Sequence, residues 1–128
     1  MTKPSQPYEL TFEDRPGYLY AHLKGDTISS EVIRSYVAEI VAKSNSTGQG
    51  RILLYRDIPA VLSEGETFFT VRESLESLRG KKLALVNPHV DINKEVKFGM
   101  TVGHNRGGNY ADFEDIAAAE KWLLSDED

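Results

Sequence analysis

The sequence predicts an α/β fold: a single-domain sandwich whose mixed five-stranded sheet opens with an antiparallel hairpin, continues in parallel strands and carries about four helices. Three observations lead there. Hydrophobic residues alternate every second position up to Gly25, and recur every three or four positions just beyond it. Thereafter short apolar runs, ILLY and LALV, alternate with amphipathic stretches. Strands alternating with helices imply parallel pairing through right-handed crossovers.

Tyr8, Leu10 and Phe12 alternate with polar residues, the period of a strand with one buried face. DRPG follows as a turn, Pro16 setting one backbone angle and Gly17 free to take a positive one. Over 18–24 the alternation returns, with Leu19, Ala21 and Leu23 on one face and Tyr18, Tyr20 and His22 on the other. After Gly25, Val32, Ile33, Tyr36, Val37, Ile40 and Val41 form a broad helical stripe, capped by Thr27 or Ser29 and ended by SNSTGQG beyond Lys43. Residues 52–55 read as a strand covered on both faces. YRDIPAVLSEGET is a loop closing on Ser63, with Glu66 three residues on in a capping box. Phe68, Val71, Leu75 and Leu78 line the helix behind it, and Gly80 stops it. Residues 83–86 make another covered strand. Ile92, Val96, Met100 and Gly103 give a helix over about 91–104, and 110–113 a short last strand. FEDIAAAEKWLL closes the chain as an amphipathic helix built on Phe113, Ile116, Ala119, Trp122 and Leu123.

With 128 residues, 40% hydrophobic and 27% charged, the chain has a globular composition and the length for one core, burying about two-thirds of its unfolded surface. The expected divisions are a flexible lead-in at 1–7, the domain at 8–124 and an acidic tail at 125–128. Lack of cysteine removes disulfides, thiolate nucleophiles and thiolate metal ligands. No apolar run approaches the roughly 18 residues of a membrane helix, and MTKPSQPYEL lacks the apolar core of a secretory signal, so a cytoplasmic protein is expected. A net charge of −5 disfavours general nucleic-acid binding. Its distribution is uneven. Between Arg79 and Arg106 six cations face two carboxylates, whereas over 112–128 seven carboxylates face Lys121. The two segments either neutralise one another or present an anion-attracting face.

The order of elements, the hairpin ending in HLKG before a helix, the KKLALV strand and above all the closing ADFEDIAAAEKWL resemble the SpoIIAA-like proteins, bacterial relatives in fold of the STAS domain, over about 8–124. The distinctive part, F-x-D/E-x-x-x-A-x-x-W-L at 113–123, is a packing motif. The resemblance implies a non-enzymatic regulatory module, without cofactor, acting through a protein partner or as a homodimer. In the STAS domains of anti-sigma-factor antagonists a serine at the start of the helix after the third strand is phosphorylated, usually within D-S-S-G. Here that position reads Asp57-Ile58-Pro59-Ala60, and Ser63 is the nearest hydroxyl for phosphorylation. The family is also similar in outline to apolar-ligand carriers of the CRAL-TRIO type. That implies the alternative, a carrier or sensor of a small apolar or lipid-like ligand.

GHNRGGNY at 103–110 sets Arg106 among glycines, as phosphate loops do, but it follows a helix and precedes a strand, the reverse of a nucleotide-binding loop. Gly107 or Gly108 is instead expected to end the helix in a left-handed conformation. Gly99, Gly103 and Gly107 recur every fourth residue, a strip for close packing, a ligand or a second subunit. His22, His89 and His104 fall on separate elements without metal-ligand spacing, so no metal is expected. With no G-x-S-x-G elbow, no cysteine and no paired carboxylates, no catalytic residue is assigned. Ligands of open α/β sheets gather beyond the carboxyl ends of parallel strands, which makes Arg56, Asp57, Asn87 and His89 the candidate binding residues, with Gly25, Asp26 and Pro88 beside them. A homodimer is expected to use the edge of the first strand and the pair Tyr18 and Tyr20.

Overall fold

Strand β1 (Tyr8–Arg15) turns through Pro16 and Gly17, whose φ is 86°, into β2 (Tyr18–Gly25), with Tyr8 opposite Gly25. There follow α1 (Ser30–Thr47), β3 (Arg51–Asp57), α2 (Glu64–Ser77), β4 (Lys82–Val86), a 3-10 turn at Val90–Ile92, α3 (Asn93–Asn105), β5 (Asn109–Phe113) and α4 (Ile116–Leu124). The sheet order is β1-β2-β3-β4-β5, antiparallel for the first pair and parallel thereafter. This is the expected α/β architecture. The computed structural model describes residues 7–125, so the expected lead-in and tail lie, apart from Pro7 and Ser125, outside the described residues.

Each right-handed crossover steps one strand further in the same direction, and such steps must all pass over one face of the sheet. Helices α1, α2 and α3 therefore share a face, where Val32, Tyr36, Ile40, Leu78 and Val96 pack over Leu23, Ile52, Leu54, Leu83 and Leu85. Helix α4 follows the last edge strand and has no crossover to make. It folds back over the opposite face, where Ala119 and Leu123 pack on Tyr18, Tyr20, Leu53, Ala84 and Val86. Covered from both sides, β3 and β4 need apolar residues at successive positions, which is why ILLY and LALV do not alternate. Each fully buried leucine or isoleucine there contributes about 1.5–3 kcal/mol.

Two boundaries depart from expectation. Helix α1 runs past Lys43 to Thr47, because Ser44 is buried and donates to the Gln49 carbonyl, Thr47 donates back to the Lys43 carbonyl at 2.9 Å, and Gly48 supplies the left-handed cap at φ 75°. Helix α4 starts at Ile116. Phe113 closes β5 opposite Val86, and Asp115 caps the helix by accepting from the Ala118 N–H at 2.8 Å. Phe113 still meets the helix, its ring 5.5 Å from that of Trp122. At the other N-termini, Ser29 accepts from the Val32 N–H at 3.1 Å and Ser63 from the Glu66 N–H at 3.3 Å.

The pair Tyr18 and Tyr20, expected at an exposed edge, is instead buried (0% and 8% exposed) beneath α4, where Tyr18 donates to Glu120 at 2.8 Å. The edge itself remains, since β1 is the outermost strand. Among the described residues no helix is long and apolar enough to cross a membrane.

Candidate functional site

At the carboxyl ends of the strands, Pro88 holds Asn87 extended. The Asn87 side chain accepts from the His89 N–H (3.0 Å) and donates to the His89 carbonyl (2.9 Å), a side-chain turn that swings the chain out of β4. His89 Nε2 then meets Asp57 Oδ1 at 2.7 Å, with both side chains partly exposed. An imidazole oriented in this way can act as a general base. The hydrogen bonds of His89 go to the groups that position it.

Arg56 turns the other way. Only 6% exposed, it donates to the carbonyls of Ile58 (3.0 Å) and Ala60 (2.7 Å) and clips the loop between β3 and α2. The four expected residues are thus divided: Asp57 and His89 meet, Asn87 is their scaffold, and Arg56 faces the three-helix layer. Ser63, exposed, caps α2 and donates to Glu66 Oε1 at 3.0 Å. Carboxyl-end crevices open where neighbouring crossovers diverge to opposite faces. Among the described strands all three crossovers lie on one face, so the strand order has no such switch point.

The basic segment converges on the opposite end. Arg51, Arg79, Lys81, Lys82 and Arg106 line an open cleft at the amino ends of the parallel strands. Helices α1, α2 and α3 end there, presenting the negative ends of their dipoles. Lys81 donates to Ser44 Oγ (2.9 Å) and Asn45 Oδ1 (2.8 Å), and Lys82 to the carbonyls of Trp122 (2.8 Å) and Ser125 (2.9 Å). Arg79 pairs with Glu76 at 2.6 Å. Lys97 and Asp112, 3.4 Å apart, join the basic segment to the acidic one. These cations therefore compensate helix ends and nearby carboxylates. GHNRGGNY ends α3 as expected: Gly107 has φ 93°, and the N–H groups of Gly107 and Gly108 donate to the carbonyls of His104 (3.1 Å) and Gly103 (2.9 Å).

Between the three helices and the sheet lies a cavity of about 110 Å³, walled by Leu83, Leu85, Val71, Leu78, Val96 and Met100. The glycine strip shapes it. A Cβ at Gly99 would stand 3.3 Å from Thr67, and one at Gly103 only 2.3 Å from the Tyr110 ring, so α3 approaches α2 and β5 as closely as bare backbone permits. Thr70 and Ser74 on the wall donate to the carbonyls of Glu66 (2.7 Å) and Thr70 (2.9 Å). Tyr110 differs. It is 5% exposed, and among the described residues its hydroxyl is the buried side-chain polar atom without a hydrogen-bond partner. Burial pushes its phenol up to about 12. Burial also raises the Tyr36 phenol on the same wall, with the Arg56 guanidinium opposing.

On the outer surface Phe69 of α2 is 62% exposed, its ring edge-on to Phe68 at 5.7 Å, and the Arg106 guanidinium lies 4.6 Å over the Phe68 ring. Consecutive helical residues point about 100° apart, so a Phe-Phe doublet cannot bury both rings on one face. That doublet is a sequence signal for Phe69. The Tyr110 hydroxyl has none, because lacking a partner is a property of three-dimensional surroundings. No family model, curated protein or solved structure matches the chain.

Proposed function

We propose that the protein is a non-enzymatic binding module of SpoIIAA/STAS-like type, working in the cytoplasm through protein–protein contact at the outer face of α2 and α3. The observation that carries this reading is the exposed Phe69 beside Phe68 and Arg106. Aromatic rings with an arginine are the side chains in which interfaces concentrate their binding energy, and truncating such an anchor costs about 2 kcal/mol or more, roughly thirtyfold in affinity. The hydrogen bonds that Asn87 and Arg56 make within the fold agree with a structural use of those residues.

A photo-crosslinking residue at position 69 tests the reading. Expected is one discrete crosslinked species, another protein or a second copy of the chain, lost on Arg106→Gln while the thermal midpoint is unchanged. Crosslinking without a preferred partner would count against it. So would turnover in hydrolase, kinase or nucleotidase screens that disappears in His89→Gln.

The cavity beneath the helices favours a second reading, carriage of a small apolar ligand. Its size suits a compact guest and not a long acyl chain.

A further inference from the structure

We propose that the outer edge of β1 pairs antiparallel with β1 of a second copy of the chain, joining two five-stranded sheets into one about a two-fold axis through Phe12. This edge is separate from the outer face of α2 and α3, and neither surface depends on the other.

The backbone supplies the means. Strand β1 is outermost and eight residues long, against five for β5 at the other edge. Only Pro16 and Gly17 separate Arg15 from Tyr18, so that pair exchanges both backbone hydrogen bonds, and hydrogen-bonded pairs recur at Glu13, Thr11 and Glu9. The alternate residues Leu10, Phe12 and Asp14 then turn their N–H and C=O groups away from β2, to a side where no described strand lies. A further strand takes up such groups. It would also cover Leu10 and Phe12, which pack against the core yet stay only partly buried.

Charge selects the register. Carboxylates on an edge strand oppose indiscriminate pairing, and Glu9, Glu13 and Asp14 are all exposed here. Outward-turned residues must oppose outward-turned residues, so in a symmetric antiparallel pair the axis passes through a residue. An axis through Glu9 or Glu13 sets that glutamate against its own copy, and one through Thr11 sets Glu9 against Glu13 twice. An axis through Leu10 forms no ion pair and leaves Glu13 and Arg15 beyond the paired stretch. The axis through Phe12 sets Glu9 against Arg15 twice, Thr11 against Glu13 and Leu10 against Asp14, so no like charges stand opposite. Phe12 then meets its own copy, with Leu10 of the second copy diagonal to it.

Arg15 is held ready for this contact. It donates to Glu13 through Nε (3.2 Å) and Nη2 (3.4 Å) and to the Tyr18 hydroxyl through Nη1 (3.2 Å), and its guanidinium lies 4.0 Å over the Tyr20 ring. A guanidinium has five N–H donors, so these bonds leave it able to meet a second carboxylate. Glu9 stands opposite Lys24 in the register but belongs to none of the ion pairs among the described residues.

Because the chain has no cysteine, an introduced one is the sole thiol. Residues on the axis face one another at about 5.5 Å between Cα atoms, within disulfide reach, whereas copies of the neighbouring residue lie about 7–8 Å apart. Mild oxidation should therefore trap a dimer with Phe12→Cys and little with Thr11→Cys or Leu10→Cys. Should Phe12→Cys fold poorly, Thr11→Cys mixed with Glu13→Cys, exposed positions about 4.5 Å apart across this axis, must give the mixed disulfide. Sedimentation equilibrium of the unaltered chain between about 1 μM and 1 mM should show monomer and dimer. Glu9→Arg, which turns both ion pairs into repulsions, should weaken the dimer about tenfold with its far-ultraviolet circular dichroism unchanged. A strict monomer over that range would overturn the proposal. So would a dimer that Glu9→Arg leaves intact, or preferential trapping of Thr11→Cys or Leu10→Cys.

Discussion

Gly103 shows most plainly how a residue's neighbours can reverse its intrinsic preference. By helix propensity alone, alanine at this position would stabilise α3 by about 1 kcal/mol. The new Cβ would stand 2.3 Å from Cδ2 of Tyr110, inside any contact distance, so we expect Gly103→Ala to lower stability by about 1–3 kcal/mol in urea denaturation. A gain would mean that the ring moves aside freely. Tyr110→Phe should act oppositely. It removes a buried donor that has no acceptor, and a rise of about 1 kcal/mol is expected. The spacing of Gly99 and Gly103 could be read from the sequence as a packing strip. That the strip is met by Thr67, Val71 and a tyrosine far along another element could not.

Among the elements, α4 stands alone on its face of the sheet, so its anchors act without support from neighbouring helices. Asp115 caps its start, and Lys82 donates to the carbonyls of Trp122 and Ser125 at its end while lying 4.5 Å over the Trp122 ring. Asp115→Ala should cost about 1 kcal/mol. Trp122 is the sole tryptophan, so its emission should shift to the red as α4 loosens. Unchanged emission and stability would show that packing of Ala119 and Leu123 suffices without the cap. Element type was legible throughout because hydrophobic period is a local property. Boundaries were less so. Phe113 satisfies both the helical stripe and the strand, and only pairing with Val86 assigns it to β5. The SNST segment favours turns in isolation, yet burial of Ser44 draws it into α1.

For the molecule as a whole, four of the buried tyrosines, Tyr18, Tyr20, Tyr36 and Tyr110, set the response to alkali. Burial is the leading cause that raises the phenols of Tyr18, Tyr20, Tyr36 and, to about 12, Tyr110. An unfolded tyrosine titrates near 10. Because the folded values lie higher, this contribution to stability is fully present below about pH 10 and is lost as the pH rises through about 12. Urea midpoints should therefore be insensitive to tyrosine ionisation near neutrality and fall steeply above about pH 10, less steeply in Tyr110→Phe. A flat alkaline limb would show that these phenols ionise within the fold. The amino-acid sequence by itself determined the order of elements, the antiparallel opening and the double covering of β3 and β4, since all three follow from the rhythm of apolar residues along the chain. Only the tertiary structure decided that Tyr18 and Tyr20 lie buried under α4, that Arg56 and Asp57 part company, that a cavity lies beneath α1, α2 and α3, and that the Tyr110 hydroxyl is buried without a partner. Each of these depends on which distant segment supplies a neighbour, and neighbours are set by the path of the crossovers through space.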